Sequence, residues 1–431
     1  MKSQKKILIL INNPIIFRSY IKTNSLKGLT KKFNCKFLIS NNVLENFDVR
    51  DARYFKYTER QIVNSKISNI FLREIFRKRN LSSSFFFISK VWLTKIKLVY
   101  KHEKLSDIIL RFPKRLIAKV GRYILFFFRT SFIFKLFDLN YLKNLDYNSE
   151  IYEAFKNFKP DLAIVPFQSY EGDSIYSTFK ICKDKKIDCL GIIDNWDNIF
   201  SKPLIQPKPN FLTVWGKQGS DFAKAKHNYT NKNLFKLGTP RFNHYFLDRR
   251  KKLKNPFNKK YILFIEGWCW DGLDIVLEKL NNLVNKYKQF KNHKIIYRPH
   301  PWRKDWHILN VKKLKNVIID PQLKKNYLKK NFSTLVQPDI KYYSSLIKNA
   351  DLVVSGPSSM VVESMIFNKK ILLLGHDSKS FYNHNNFLKY VENYKGIERY
   401  SFLKVTKSLD NLEKDLVNLK KLKKVSNKKL E

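Results

Sequence analysis

Arg298, His300 and Arg303 fall within six residues of one another in R-P-H-P-W-R, directly after the apolar run Lys294–Tyr297. Two guanidiniums at this spacing suit a bidentate grip on phosphate oxygens, and the imidazole between them can donate to a leaving phosphate or act as an acid. The flanking prolines restrict the loop. A second group is Ser355-Gly356-Pro357-Ser358-Ser359, set between the β-rich run Leu352–Val354 and the helical spacing of Met360–Phe367. Such a turn directs backbone N–H groups and hydroxyls at an anion, typically a phosphate. Glu363 lies one helical turn further in, where a carboxylate reaches a sugar hydroxyl or simply faces solvent. A third group follows other strand-like runs: Gln168 and Glu171 after Leu162–Val165, Asp194-Asn195-Trp196-Asp197 after Cys189–Ile193, and Glu266 after Tyr261–Ile265. Loops at the carboxyl ends of strands carry function in open α/β sheets, although Asp-Asn pairs also make turns and caps. His300, Asp194 and Glu266 are the catalytic candidates. Arg298, Arg303, Ser355–Ser359, Glu363, Asn195, Asp197 and Gln168 are the binding candidates.

Several chemistries lack their signature. With 12 glycines in the chain there is no G-x-G-x-x-G and no P-loop. No D-x-D occurs, and the eight histidines form no H-x-x-x-H or H-E-x-x-H. No bound metal and no cofactor are expected; helix-end dipoles and cationic side chains would neutralise a diphosphate leaving group. Cys35, Cys182, Cys189 and Cys269 make no C-x-x-C pair, which fits a reduced, cytosolic chain. The opening M-K-S-Q-K-K-I-L-I-L-I-N-N is too short in its apolar part for a signal segment and reads as a first strand.

The elements that must position these groups alternate as βα units. Ile7–Ile11 reads as a strand, Phe17–Phe33 as a helix and Lys36–Ile39 as a second strand. The rhythm resumes at Leu162 and runs through strands at Cys189–Ile193, Phe211–Val214 and Leu234–Leu237. After the charged run Arg249–Pro256, a plausible linker, it starts again at Tyr261, with strands at Lys294–Tyr297, Val317–Ile319, Leu352–Val354 and Ile371–Leu374 and a closing helix within Lys404–Leu430. Two Rossmann-like domains follow from this, residues 1–250 and 258–405, with a tail over 406–431. Residues 55–150 differ: strand signals fade and aromatics alternate with cations, as in F-L-R-E-I-F-R-K-R-N and V-G-R-Y-I-L-F-F-F-R-T. Arg122, Arg129 and Lys135 keep the uncharged runs well under the roughly 18 residues of a membrane span. The segment reads as a helical insertion in the first domain, which either lies in a membrane interface or packs its aromatics on the sheet.

The serine-rich turn, Glu363 and R-P-H-P, together with D-N-W-D-N at Asp194–Asn198, V-W-G at Val214–Gly216 and L-G-T-P-R-F at Leu237–Phe242, resemble GT-B glycosyltransferase-like proteins of bacterial surface-polysaccharide synthesis. They are similar in particular to the branch of CDP-glycerol glycerophosphotransferases, over roughly residues 160–375. The resemblance implies two Rossmann-like domains with parallel sheets facing across a cleft. It also implies metal-independent transfer of a sugar or polyol phosphate from a nucleotide-activated donor to a polysaccharide or lipid-linked acceptor. In those relatives a His-Pro pair in this region serves catalysis or donor phosphate binding, and His300 matches it. The turn departs from them toward a sugar-nucleotide site, where a carboxylate can hold ribose or hexose hydroxyls; a GT-B sugar-nucleotide epimerase, which shares the fold and needs no membrane contact, is an alternative. With 84 Lys and Arg against 36 Asp and Glu, the net charge is +48. A non-catalytic basic module for anionic lipid or nucleic acid is therefore another reading, although no pattern for specific nucleic-acid binding is present. The expected location is the cytoplasm, with the inner membrane face as a site of peripheral contact.

Overall fold

A computed structural model describes residues 4–46, 53–59, 83–84, 87, 147–167, 173–201, 207–267, 272–300, 310–328, 339–378 and 382–422. The chain divides into two compact units, Met1–Arg241 and Phe242–Glu431. Each is built on one open, wholly parallel sheet, a GT-B-like two-domain α/β fold.

The first sheet holds β1 (Lys6–Ile11), β2 (Asn34–Ser40), β3 (Tyr54–Tyr57), β4 (Leu162–Phe167), β5 (Asp188–Ile193), β6 (Phe211–Val214) and β7 (Leu234–Lys236). Their order is β3-β2-β1-β4-β5-β6-β7. The continuous apolar run of β1 is what a strand covered on both faces requires. Leu8 and Leu10 enter one core with Val165, Phe179 and Leu212, while Ile7, Ile9 and Ile11 enter another with Phe17, Tyr20 and Ile39. The period of two thus makes two apolar layers from one strand.

Two features of this unit differ from the sequence reading. Residues 17–33 do not form one helix: Pro14–Phe17 is α-helical, Arg18–Lys22 is a π-helical turn and Lys27–Lys32 is a separate helix. The hydroxyls of Thr23 and Ser25 both donate to the Ser19 carbonyl, and Asn24 takes a left-handed φ of 55°, so the ladder ends there. A strand, β3, also occurs where strand signals fade, and its half-exposed Y-F-K-Y pattern is that of a sheet edge. The helical insertion and its membrane contact fall on residues that, apart from 83–84 and 87, lie outside the described residues between 60 and 146. Among the described residues no helix is long and apolar enough to cross a membrane.

The second sheet holds β8 (Lys260–Ile265), β9 (His293–Arg298), β10 (Val317–Ile319), β11 (Leu352–Ser355), β12 (Ile371–Leu374) and β13 (Leu403–Thr406). Their order is β10-β9-β8-β11-β12-β13, so the chain reverses direction across the sheet between β8 and β11. One face packs under the helices Leu273–Lys286 and Leu412–Lys421 through Ile262, Phe264, Val354, Leu372 and Leu416. The helix Asn243–Arg249 belongs to this unit, where it lies against the helices Ile340–Lys348 and Met360–Ile366. Lys348 donates to the carbonyls of Asp248 and Arg249, closing its carboxyl end. The strand β13 occupies part of the span expected to be one closing helix. In its L-K-V-T the two buried positions, Leu403 and Thr406, lie three apart at a sheet edge, which in sequence mimics one turn of an amphipathic helix.

Candidate functional site

The reversal between β8 and β11 is a topological switch point, the place where the loops of an open α/β sheet part and leave room for a ligand. The loops that leave these strands are Glu266–Gly267 and Ser355–Ser359. They touch through their backbones: a Cβ on Gly267 would sit 2.8 Å from the Gly356 carbonyl carbon and from the Pro357 nitrogen and oxygen. A Cβ on Gly356 would meet the Gly267 nitrogen at 2.8 Å. Both glycines are needed for this approach. On its other side the same short loop holds the R-P-H-P segment. The Glu266 carboxylate, 3% exposed, accepts from the Tyr297 hydroxyl at 2.7 Å and from the His300 backbone N–H at 2.9 Å. Residues 266–267 are therefore the joint between His300 and the serine-rich turn.

Within that turn Ser355 is fully buried and its hydroxyl donates to the Gly356 carbonyl at 2.7 Å. Gly356 and Pro357 are buried, and Ser358 and Ser359 are half-buried. The Ser358 hydroxyl accepts from the Met360 N–H at 3.2 Å, capping the start of the helix that carries Glu363. Glu363 is 1% exposed rather than on a solvated face, and its carboxylate accepts from the Tyr245 hydroxyl at 3.1 Å. Tyr245 comes from the helix Asn243–Arg249 and packs edge-on against Phe367.

Arg298 is placed differently from the expected phosphate grip. It is 2% exposed, ion-paired to the wholly buried Asp320, and lies 4.2 Å from the centre of the Tyr343 ring. Asp320 also accepts from the Tyr342 hydroxyl at 2.8 Å and from the Gln322 N–H at 3.0 Å. Strand β9 ends at Arg298, so this network anchors the base of the His300 loop from beneath. The reason is strand parity: alternate residues of β9 point to opposite faces, and Arg298 falls on a covered one. Arg303 lies outside the described residues, as do Gln168 and Glu171.

Beside the turn, after β12, His376 and the first helical residue His384 bring their rings to 4.4 Å between centres. His384 lies against Gly356, where a Cβ would approach its Nε2 to 3.3 Å. Burial, and then the neighbouring His376, pull the His384 pKa down to about 3, so the ring is neutral. Sequence reasoning missed this pair and also Tyr245, Asp320 and Tyr297. The one available signal was the position of His376 directly after an apolar strand, in L-L-L-G-H-D.

The first unit has its own group at the carboxyl edge of its sheet. Asp194 is wholly buried and accepts from the Thr239 hydroxyl at 3.0 Å, and Arg241 donates to Asn195. Tyr20, on the π-helical turn, is buried beside Asp194; burial and then that carboxylate push its phenol upward, keeping it protonated. Ser25 ties the same segment to the Pro240 carbonyl at 3.2 Å. Asp197 is half-buried and accepts from the Ser201 hydroxyl at 2.9 Å, a side-chain pair four residues apart. Asp194 and Asn195 are thus brought together with Thr239 and Arg241 of L-G-T-P-R-F. Among the described residues no cluster of His, Cys, Asp and Glu has the makings of a metal site.

No protein-family model matches the chain, and no curated protein matches it. Solved structures do. A Listeria monocytogenes protein assigned as a UDP-N-acetylglucosamine 2-epimerase is similar at TM-score 0.54 and 11% identity, over 97% of this chain and 88% of that one. The UDP-GlcNAc 2-epimerase of Methanocaldococcus jannaschii, in complex with UDP-GlcNAc and UDP, is similar at TM-score 0.50 and 13% identity, over 97% and 94%. MnaA of S. aureus with UDP is similar at TM-score 0.50 and 11% identity, over 97% and 88%. At these identities the likeness is one of fold.

Proposed function

We propose that the chain is a GT-B-fold enzyme acting on a nucleotide-activated sugar of the bacterial cell envelope, and that its reaction is epimerisation of that sugar. The observation that carries this reading is the buried Glu363 one helical turn beyond the Ser355–Ser359 turn, at the switch point of the second sheet. Support comes from the fold, which is that of structures holding UDP or UDP-GlcNAc. The diphosphate lies over the turn, where the Ser358 and Ser359 hydroxyls and the backbone N–H groups meet it. Glu363, with Tyr245 behind it, accepts from a sugar hydroxyl. Glu266 already accepts from two donors as a carboxylate, so its part is to fix His300 rather than to take a proton. His300 then serves as the acid–base group at the anomeric phosphate. It gives a proton to the phosphate oxygen as a base takes the proton from the neighbouring sugar carbon and the anomeric C–O bond breaks. It takes that proton back when the carbon is reprotonated on its other face and the bond re-forms. Arg298 supports its loop from the core.

Transfer of the sugar or of a polyol phosphate to a polysaccharide or lipid-linked acceptor is the second reading. The basic–aromatic run between residues 55 and 150 and the net charge of +48 favour it, since both suit an anionic acceptor at a membrane face. A thermal-shift panel of UDP-sugars and CDP-polyols tests both. A ligand that binds the folded state raises the melting temperature, by an amount that grows with its concentration over Kd. The expected outcome is stabilisation by a UDP-sugar, followed by NMR detection of its epimer without any acceptor. Product formed only when acceptor is added would move the assignment to transfer. No stabilisation by any member of the panel would overturn the nucleotide-sugar reading itself.

A further inference from the structure

The charge of the second unit is not spread evenly over its sheet. The segment that enters β8 carries Arg250, Lys251, Lys252, Lys254 and Lys259, all exposed and with no carboxylate among them. Lys369 and Lys370 enter β12. Asp351, which enters β11, is already held by His293 and Lys420. On the opposite, carboxyl edge the described connections carry Glu266, Asp320, Asp377 and Asp410 against Lys407. Hydrogen bonds join the amino-edge groups into one surface. Lys348 donates to the carbonyls of Asp248, Arg249 and Lys251, and Asn349 to that of Leu253 at 3.3 Å. Lys369 donates to the carbonyls of Lys348 and Ala350, and Lys370 to those of Lys420 and Leu422. The carboxyl ends of the helices Asn243–Arg249, Ile340–Lys348 and Leu412–Lys421 thus meet on this edge, covered by ammonium groups. Among the described residues Lys252, Lys254 and Lys259 have no ionic partner, whereas Lys251 pairs with Asp248. Phe246 and Leu247, 51% and 53% exposed, lie in the last turn of the first of these helices, and Leu422, 46% exposed, follows the last.

We infer that the amino edge of the second sheet docks on an anionic bilayer, with Lys252, Lys254 and Lys259 at headgroup level and Phe246 and Leu247 in the interface. These cations do not serve an anion at the serine-rich turn. β8 has six residues, so it sets the two edges about 20 Å apart, twice the screening length of about 10 Å at 0.1 M salt. Their partner is therefore one that meets the far edge. A nucleic-acid strand asks for aromatic faces that stack its bases, and Phe246 is the one exposed aromatic among the described residues of this unit. An anionic bilayer asks for what is present: long ammonium side chains beside exposed apolar tips. Docked in this way, the second unit holds its Ser355–Ser359 turn on the side away from the lipid. The inference goes beyond the proposed function and holds whether or not the second unit binds a nucleotide.

The test uses the full chain and two matched triple variants. Lys252→Glu, Lys254→Glu and Lys259→Glu alter the face; Lys224→Glu, Lys232→Glu and Lys236→Glu make the same change of net charge on exposed lysines of the first unit. Affinity is read by sedimentation with vesicles of phosphatidylglycerol and phosphatidylcholine in equal parts, and folding by circular dichroism and melting temperature. The first variant should bind the vesicles about a hundredfold more weakly, since each lysine at such a surface contributes about fivefold. The second should stay within about threefold of the parent at 0.1 M salt. Phe246→Ser with Leu247→Ser should weaken vesicle binding about tenfold and leave the binding of a short DNA duplex unchanged. Acetylation of the parent by an amine-reactive ester, read by mass spectrometry, should show Lys252, Lys254 and Lys259 protected by the vesicles and Lys224, Lys232 and Lys236 open. That readout needs no variant to fold. Equal losses in the two triple variants, vesicle binding indifferent to either the lysines or the apolar pair, or full acetylation of Lys252, Lys254 and Lys259 on bound vesicles overturns the inference. DNA binding lost in the first variant while vesicle binding stays would give the face to nucleic acid and overturn it equally.

Discussion

At the scale of single residues, the sharpest lesson is the division of labour between Arg298 and Glu363. Both side chains are exposed to 2% or less, yet Arg298 is ion-paired to a buried carboxylate whereas Glu363 accepts a hydrogen bond from the Tyr245 hydroxyl. Arg298→Ala leaves Asp320 as an unpaired buried charge, and a loss of about 3–5 kcal/mol in unfolding free energy is expected from denaturant melts. Replacing the pair together, Arg298→Met with Asp320→Leu, should recover much of that loss. A donor-binding defect in Arg298→Ala with stability untouched would contradict the anchoring role. Glu363→Gln keeps an acceptor for Tyr245 but removes the negative charge, and should weaken UDP-sugar binding by about 1.5–3 kcal/mol in calorimetry. Tyr245→Phe should produce a smaller loss in the same direction. Equal affinities in all three proteins would remove Glu363 from the donor site.

At the scale of elements, the site depends on two loops that meet backbone to backbone. Gly267→Ala would place a methyl 2.8 Å from the backbone of Gly356 and Pro357, neither of which can rotate away. The variant should lose about 1–3 kcal/mol of stability through overpacking and should also lose nucleotide binding, because His300 and the serine turn share that joint. Gly216→Ala is the matched control: its φ of −176° is open to any residue and its Cβ meets nothing within 4 Å. Melting temperature and UDP affinity together read the contrast, and equal behaviour of the two variants would show that the joint is slack. These loops were legible in the sequence because turn residues interrupt apolar runs at both places. The parallel strands β1, β8, β11 and β12 were legible for a related reason, since burial on both faces leaves no polar alternation to misread. Of the four edge strands, β7 and β10 were legible, whereas β3 and β13 were not: these two are half-exposed, and their patterns resemble loop or helix. The role of Arg298 was hidden as well: a guanidinium after a strand reads the same in sequence whether it faces a ligand or Asp320. Only the pairing of β9 with β10 brings Asp320 beneath it.

At the scale of the whole molecule, two dependences on solution conditions follow. Neutral buried histidines make the fold sensitive to acid: burial lowers the pKa of His384 to about 3 and that of His227 to about 4. In the unfolded chain both titrate near the ordinary value of about 6.5. Between that value and their folded pKa the unfolded state holds more protons, so stability should fall as pH drops from about 6.5 toward 3. Urea midpoints across this range should shift in the same direction in the parent, and less steeply in His384→Asn. The other dependence is on salt. A chain of net charge +48 carries far more cationic than anionic side chains, and exposed lysines repel one another at every scale short of the screening length. Each basic residue near an anionic bilayer contributes about 1 kcal/mol, and the effect decays within a Debye length of about 10 Å at 0.1 M salt and about 3 Å at 1 M. Sedimentation with phosphatidylglycerol vesicles should therefore capture the protein at low salt and release it at 1 M, while phosphatidylcholine vesicles leave it in solution. Capture that persists at 1 M salt would show that apolar insertion, and not charge, holds the chain to the bilayer. Failure to bind anionic vesicles at low salt would mean that the cations are spread too evenly for any one face to meet a membrane, and the transfer reading would lose its reason for a membrane-bound acceptor.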